Sequence, residues 1–129
     1  MDTPRMDFIA ATAALPADAL HLDNTQDVLA RAEEIRRHGQ VVLHFPKWTD
    51  GRAYSQAALL RGRLRYAGDI IATGEVLVDM LPLLQRCGFS AVQLRADQKL
   101  ESARRALGFF ETHYQTVLPE RVPAPGLVS

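Results

Sequence analysis

The chain holds a single cysteine among its 129 residues, so no intrachain disulfide and no cysteine-rich metal or iron–sulfur site can be built from it alone. A lone thiol fits a reducing compartment, and the expected location is the cytoplasm. Excess charge of either sign is missing as well. Lys+Arg and Asp+Glu both number 15, which removes the bulk electrostatic case for nucleic acid as a partner. No apolar run approaches the ~20 residues that a bilayer span needs, so no membrane association is expected. The start, "MDTPRMDFIAATAALPADAL", places acids ahead of its apolar part, unlike a secretory signal. The histidines, at 21, 38, 44 and 113, lack the spacing of a metal site. No GxGxxG follows an apolar run either, so the usual dinucleotide fingerprint is absent and no cofactor can be named from the residues.

What is present is a regular alternation. Hydrophobic residues make up 47% of the chain, enough for one packed core in one domain. Short apolar runs at 19–22 ("ALHL"), 41–45 ("VVLHF"), 69–73 ("DIIAT") and 90–95 ("SAVQLR") read as strands. Each is followed by a helical pattern: "DVLARAEEIRRHG", "RAYSQAALLRGRLRY", "VLVDMLPLLQRCG" and "LESARRALGFFETHY". The first three end on glycine (39, 68 and 88) just before the next strand, as helix stops do. This predicts an α/β fold of four successive βα units with parallel strands, either half of a TIM-like barrel or a small open parallel sheet.

Residues 1–116 form the expected domain, and the Pro-rich stretch 117–129 an irregular tail. A half-barrel would expose strand edges and an apolar inner face, so a homodimer is expected. Pro82 interrupts the third helical pattern, which predicts a late start capped by Asp79 or a kink.

In parallel α/β folds ligands collect beyond the carboxyl ends of the strands. Asp23 and Asn24, the loop 47–52, Glu75 with Asp79, and Arg95 with Asp97 fall on that side. The loop "FPKWTDGRAYSQ" (45–56) is the densest of these in chemistry. Asp50 and Gly51 suit a turn and a helix cap. Lys47, Arg52, Tyr54 and Ser55 crowd the same helix start, where the macrodipole opposes cations unless an anion sits among them. They are the candidate ligand-binding residues. Glu75, at the end of the next strand, is expected beside Lys47 or Arg52, and Glu75 and Asp50 are the candidate acid/base groups. The bland alternatives are a capped turn and a solvated carboxylate. Cys87 lies at a helix end on the opposite side, where the dipole disfavours a thiolate, and reads as core packing.

The segment 41–95 resembles the bacterial family called domain of unknown function 934, through "FPKWTDGRAYSQA", "LLR", "GDIIATGEV", Asp79 and "RCGF". Members of that family are typically encoded beside genes of assimilatory sulfite reduction and labelled oxidoreductases of that pathway. The resemblance implies an accessory protein of sulfate or sulfite assimilation, working with sulfite reductase or another enzyme of the pathway. It would bind a small oxyanion or a sulfur-bearing nucleotide. A non-catalytic scaffold, or a small enzyme with Lys47 and Arg52 as anion clamp and Glu75 as acid/base, are the alternatives.

Overall fold

The computed structural model describes residues 6–107 and 113–117. Among these residues six strands form one sheet: β1 (Asp7–Ile9), β2 (Leu20–Leu22), β3 (Gln40–Phe45), β4 (Asp69–Gly74), β5 (Ala91–Gln93) and β6 (His113–Val117). Their order across the sheet is β2-β3-β4-β5-β1-β6, and every pairing is parallel. The helices are α1 (Ala32–Arg36), α2 (Arg52–Gly62), α3 (Leu81–Cys87) and α4 (Leu100–Leu107). The fold is thus an open parallel α/β sheet, the second of the two expected architectures. Val41 pairs with Ile70 and Val42 with Ile71, so the segments 41–45 and 69–73 run side by side as expected.

Alternation along the strands divides the core in two. Val41, Leu43 and Phe45 of β3 and Ile70 and Ala72 of β4 point to one face. There they meet Ile35 of α1, Ala53, Ala57 and Leu60 of α2, Leu81 and Leu84 of α3 and Ala103 of α4. All four helices therefore cover the same face, as crossovers of one hand require when the strands run in order from β2 to β5. On the other face Val42, Ile71, Ala91 and Ile9 form a smaller cluster beneath Ala13, Leu15 and Ala19. The cover on this side is the connection from β1 to β2.

Several sequence expectations need correction. β1 and β6 lie outside the four expected units. Of the helical pattern over 100–114, Leu100–Leu107 is described as helix and 113–117 is strand, so residue 117 ends β6 instead of opening a tail. The remainder of the Pro-rich stretch lies outside the described residues. α2 ends at Gly62, six residues before Gly68, and the chain turns through Arg65 at φ 55°. Gly88 does close α3, with a left-handed φ of 107° that a side chain would disfavour. Near Pro82 the late start wins: a 3-10 turn over Val78–Met80 precedes α3. Pro82 sits in the first turn, where a missing N–H costs nothing. Asp79 lies within that 3-10 turn and caps neither element; the Val78 N–H at the start of the turn donates instead to Gln98 Oε1 at 2.9 Å.

One buried charge supports a pH prediction. Asp69 is 6% exposed at the start of β4, and its Oδ1 accepts the Ser90 hydroxyl at 3.0 Å. Burial raises its pKa above the usual carboxylate value, partly offset by the Ser90 bond. A group raised on folding favours the fold below its unfolded pKa and loses that contribution as pH climbs through the folded value. Asp69→Asn keeps an acceptor for Ser90 and does not titrate. The variant should gain stability over the wild type at neutral pH, and the gap should close on acidification. Urea melts across that range check it; a pH-independent difference would count against the assignment.

Candidate functional site

The carboxyl ends of β3, β4, β5 and β1 lie along one edge, and their exit loops are neighbours. After β3, Pro46, Lys47, Trp48 and Thr49 are exposed. Asp50 turns back: its Oδ2 accepts from Asn24 Nδ2 at 2.7 Å, and its Oδ1 accepts the Arg52 backbone N–H at 3.1 Å. The Arg52 side chain adds a looser ion pair at 3.6 Å. The bond from the Arg52 backbone, helped by Asn24 and the charges of Arg52 and Lys47, holds the Asp50 carboxyl below its ordinary range. Asp50 thus anchors the start of α2, the turn role its position predicts. Gln56 ties the same helix to the β2 exit, donating to the carbonyls of Asp23 and Gln26, both at 2.9 Å.

Lys47, Arg52 and Ser55 are exposed around this helix start. Tyr54 is half-buried, with its ring edge-on to Phe45 at 5.2 Å between centroids. Burial raises the Tyr54 pKa, and the nearby Cys87 thiol adds to that. The Tyr54 ring therefore packs on the core edge. Cys87, itself raised by burial, is the last residue of α3.

Glu75 is drawn the other way from the expected one. It pairs with Arg95 of the β5 exit loop (Oε1 to Nη1, 2.8 Å) instead of with Lys47 or Arg52. Asp97 grips the same guanidinium at two points, 2.7 Å from Nε and 2.8 Å from Nη2. Those bonds raise the Arg95 pKa and, from the other side, lower Asp97 to about 2. The loops are stitched by their backbones too: Glu75 N–H donates to Phe45 O at 2.8 Å, and Arg95 N–H to Val76 O at 3.0 Å.

Between these loops lies an open cleft of about 250 Å³, lined by Ala11, Thr73, Gly74, Gln93, Leu94, Arg95 and Ala96. Its position follows from the topology. β5 leads to α4 on the helical face, whereas its neighbour β1 leads to the connection across the opposite face. Where adjacent strands send their chains to opposite faces, a crevice opens beyond their carboxyl ends, and ligands of open α/β sheets bind there. Gln93 holds the parting chains together. Its Nε2 donates to Ala10 O and Ala13 O (2.9 and 2.8 Å), and its Oε1 accepts from the Thr73 hydroxyl at 2.9 Å.

Arg95 was legible as a residue of this edge, but Thr73 and Gln93 were not singled out. Each is a polar residue that follows an apolar run near the carboxyl end of its strand, on the face opposite the helices. That pattern is the signal that could have found them.

Among the described residues, no group of three or more His, Cys, Asp and Glu could hold a metal ion. No helix among them is long and apolar enough to cross a membrane.

The class defined so far is an open parallel α/β protein with a cleft at its topological switch point that carries Thr73, Gln93 and Arg95. The chain belongs to the family described as bacterial protein of unknown function (DUF934), whose model matches residues 19–124. The match extends well beyond the 41–95 segment that carries the sequence resemblance, and takes in β2 through β6. No curated protein and no solved structure matches the chain.

Proposed function

We propose that this protein is an accessory component of sulfate or sulfite assimilation that binds a small oxyanion, or an anionic molecule carrying one, and acts with sulfite reductase. The pathway comes from the family resemblance alone. The observation behind the anion is the β3 exit loop. Lys47 and Arg52 are exposed at the start of α2, and among the described residues Asp50 is the one carboxylate paired with Arg52, so Lys47, Arg52 and Asp50 together carry one positive charge. Ser55, one turn into the helix, adds a hydroxyl. The position beyond a parallel strand is where such folds take ligands.

Calorimetry with sulfite, sulfate and adenylyl sulfate tests the reading. Binding by the wild type that falls about tenfold or more in Lys47→Ala/Arg52→Ala is the expected result, the size of a lost charge-assisted contact. If none of these anions binds, with or without sulfite reductase, the reading fails.

An independent catalytic role has less behind it. Both candidate acid/base groups are engaged, Asp50 by Asn24 and the Arg52 N–H, Glu75 by Arg95. A second reading, a scaffold that docks a partner enzyme of the pathway, is favoured by Trp48. Its side chain is 55% exposed beside Lys47, and tryptophan is the residue type most enriched at binding hot spots. Trp48→Ala should leave thermal stability within about 0.5 kcal/mol of the wild type, as surface changes do. Loss of sulfite reductase binding in that variant would favour the scaffold; unchanged binding would remove Trp48 from it.

The proposed assembly remains a homodimer, although its original motive is weaker in an open sheet. The smaller apolar face is covered by the β1–β2 connection, and among the described residues no further strand pairs with the outer edges of β2 and β6, which are the proposed surfaces for pairing. Light scattering that gives a 14.3 kDa particle would rule the dimer out.

A further inference from the structure

We infer that Arg95 is the residue that recognises the oxyanion, inside the switch-point cleft, and that Glu75 occupies its ligand-facing position until a singly charged anion displaces it. This inference rests on the reading that the carboxyl-end face binds an oxyanion, and names where and how.

Among the described residues lining the cleft, Arg95 is the only charged one. A guanidinium has five N–H donors in a planar fork. Asp97 takes two of them, from Nε and Nη2, and Glu75 takes one from Nη1. Two donors remain, one on each Nη. The two carboxylates play different parts. The two-point grip of Asp97 sets the plane of the guanidinium and holds it against the cleft. Glu75 makes a single bond, and the side chains of that pair are 40% and 38% exposed for Glu75 and Arg95, so water screens it and it exchanges at little cost. An anion with two oxygens can replace that one contact with a pair of contacts to Nη1 and Nη2, the two-point geometry that suits arginine best.

Charge sets the class of ligand. Arg95 with Glu75 and Asp97 carries one net negative charge, so a dianion entering the cleft is repelled more than a monoanion. The Thr73 hydroxyl on the β4 wall donates to Gln93 Oε1 and retains acceptor capacity, which suits a ligand that still carries a proton. A small singly charged oxyanion such as hydrogensulfite, or a carboxylate that mimics Glu75, meets these terms and a cleft of about 250 Å³. Lys47 and Arg52, both at the β3 exit and separated from Arg95 by the β4 exit loop, then supply the positive field that draws the anion in, so their joint removal still lowers affinity.

The sign of the test is unusual, because removing an acid should tighten binding without any new contact. Hydrogensulfite, acetate and sulfate are titrated into wild type, Glu75→Gln, Arg95→Ala and Lys47→Ala/Arg52→Ala, with thermal melts confirming that each is folded. Glu75→Gln should bind all three anions about three- to fivefold more tightly, with the largest gain for sulfate. Arg95→Ala should lose about tenfold or more for each. In the wild type, hydrogensulfite should also shift the guanidinium nitrogen resonances of Arg95, a readout that no variant's folding can confound. Binding that survives in Arg95→Ala and Glu75→Gln unchanged, yet falls in the Lys47/Arg52 variant, overturns this inference and leaves the anion-binding function standing. Binding by none of the proteins, Glu75→Gln included, overturns both.

Discussion

Arg61→Ala is expected to destabilise the fold by about 1–3 kcal/mol, the range for leaving part-buried carbonyls short of a charged donor. Arg61 sits in the last turn of α2, yet its side chain does not run out to solvent. Nε donates to Gly88 O at 2.9 Å, while Nη1 donates to Tyr66 O at 2.9 Å and Gly68 O at 2.7 Å. Three carbonyls from two separate turns are thereby closed by one side chain. The stem is fitted as closely as the head: a Cβ at Gly88 would lie 2.4 Å from Arg61 Cγ. Removal leaves those carbonyls short of donors and opens a gap between the ends of α2 and α3. Arg61→Lys keeps the charge and much of the stem but cannot reach all three oxygens in one plane, so it should recover part of the loss. Urea melts of the two variants measure this. A cost below about 0.5 kcal/mol for the alanine variant, the level of an ordinary surface change, would show that the clasp carries no stability.

The elements that were legible in the sequence are those whose partners are close in the chain. β3, β4 and the helices after them announce themselves through apolar runs of strand length, helical spacing and glycine at the exits. Their neighbours in space are also their neighbours in sequence. β1 and β6 violate that rule. Asp7–Ile9 is three residues of a mildly apolar segment and becomes strand by pairing with β5, more than 80 residues away. The segment at 113–117 continues a helical pattern and becomes strand through pairing with β1. Long-range pairing overrides local preference in both.

The candidate edge was legible by the rule that ligands lie beyond strand carboxyl ends. Its internal pairing was not. A carboxylate at position 75 has a neighbouring loop on either side, and only the order of strands reveals that Arg95, already held by Asp97, reaches it. The cleft depends on β1 being inserted beside β5, so the residues that line it could not be assembled without that strand.

Gly74→Ala is expected to cost about 2–4 kcal/mol, through strain and collision together. Gly74 ends β4 at a φ of 99°, a conformation side chains rarely adopt, and a Cβ there would lie 2.4 Å from Phe45 O and 2.8 Å from the His44 ring. The ring can swing aside, but the carbonyl cannot, because it accepts the Glu75 N–H at 2.8 Å. Relief of the clash must therefore move the chain just where Glu75 begins its reach toward Arg95, and Gly74 itself lines the cleft. The variant should lose stability and, if the cleft holds the oxyanion, lose affinity with it. Gly62→Ala supplies the opposite sign in the same protein. A Cβ there meets nothing within 4 Å at the end of α2, so the reduced freedom of the unfolded chain should raise stability by about 0.4–1 kcal/mol. Thermal melts of the pair isolate the effect of position from that of the added methyl. Equal melting temperatures for the two variants would mean that the β3–β4 exit is loose enough to absorb a side chain, and that the geometry of Glu75 and Arg95 is not held by Gly74.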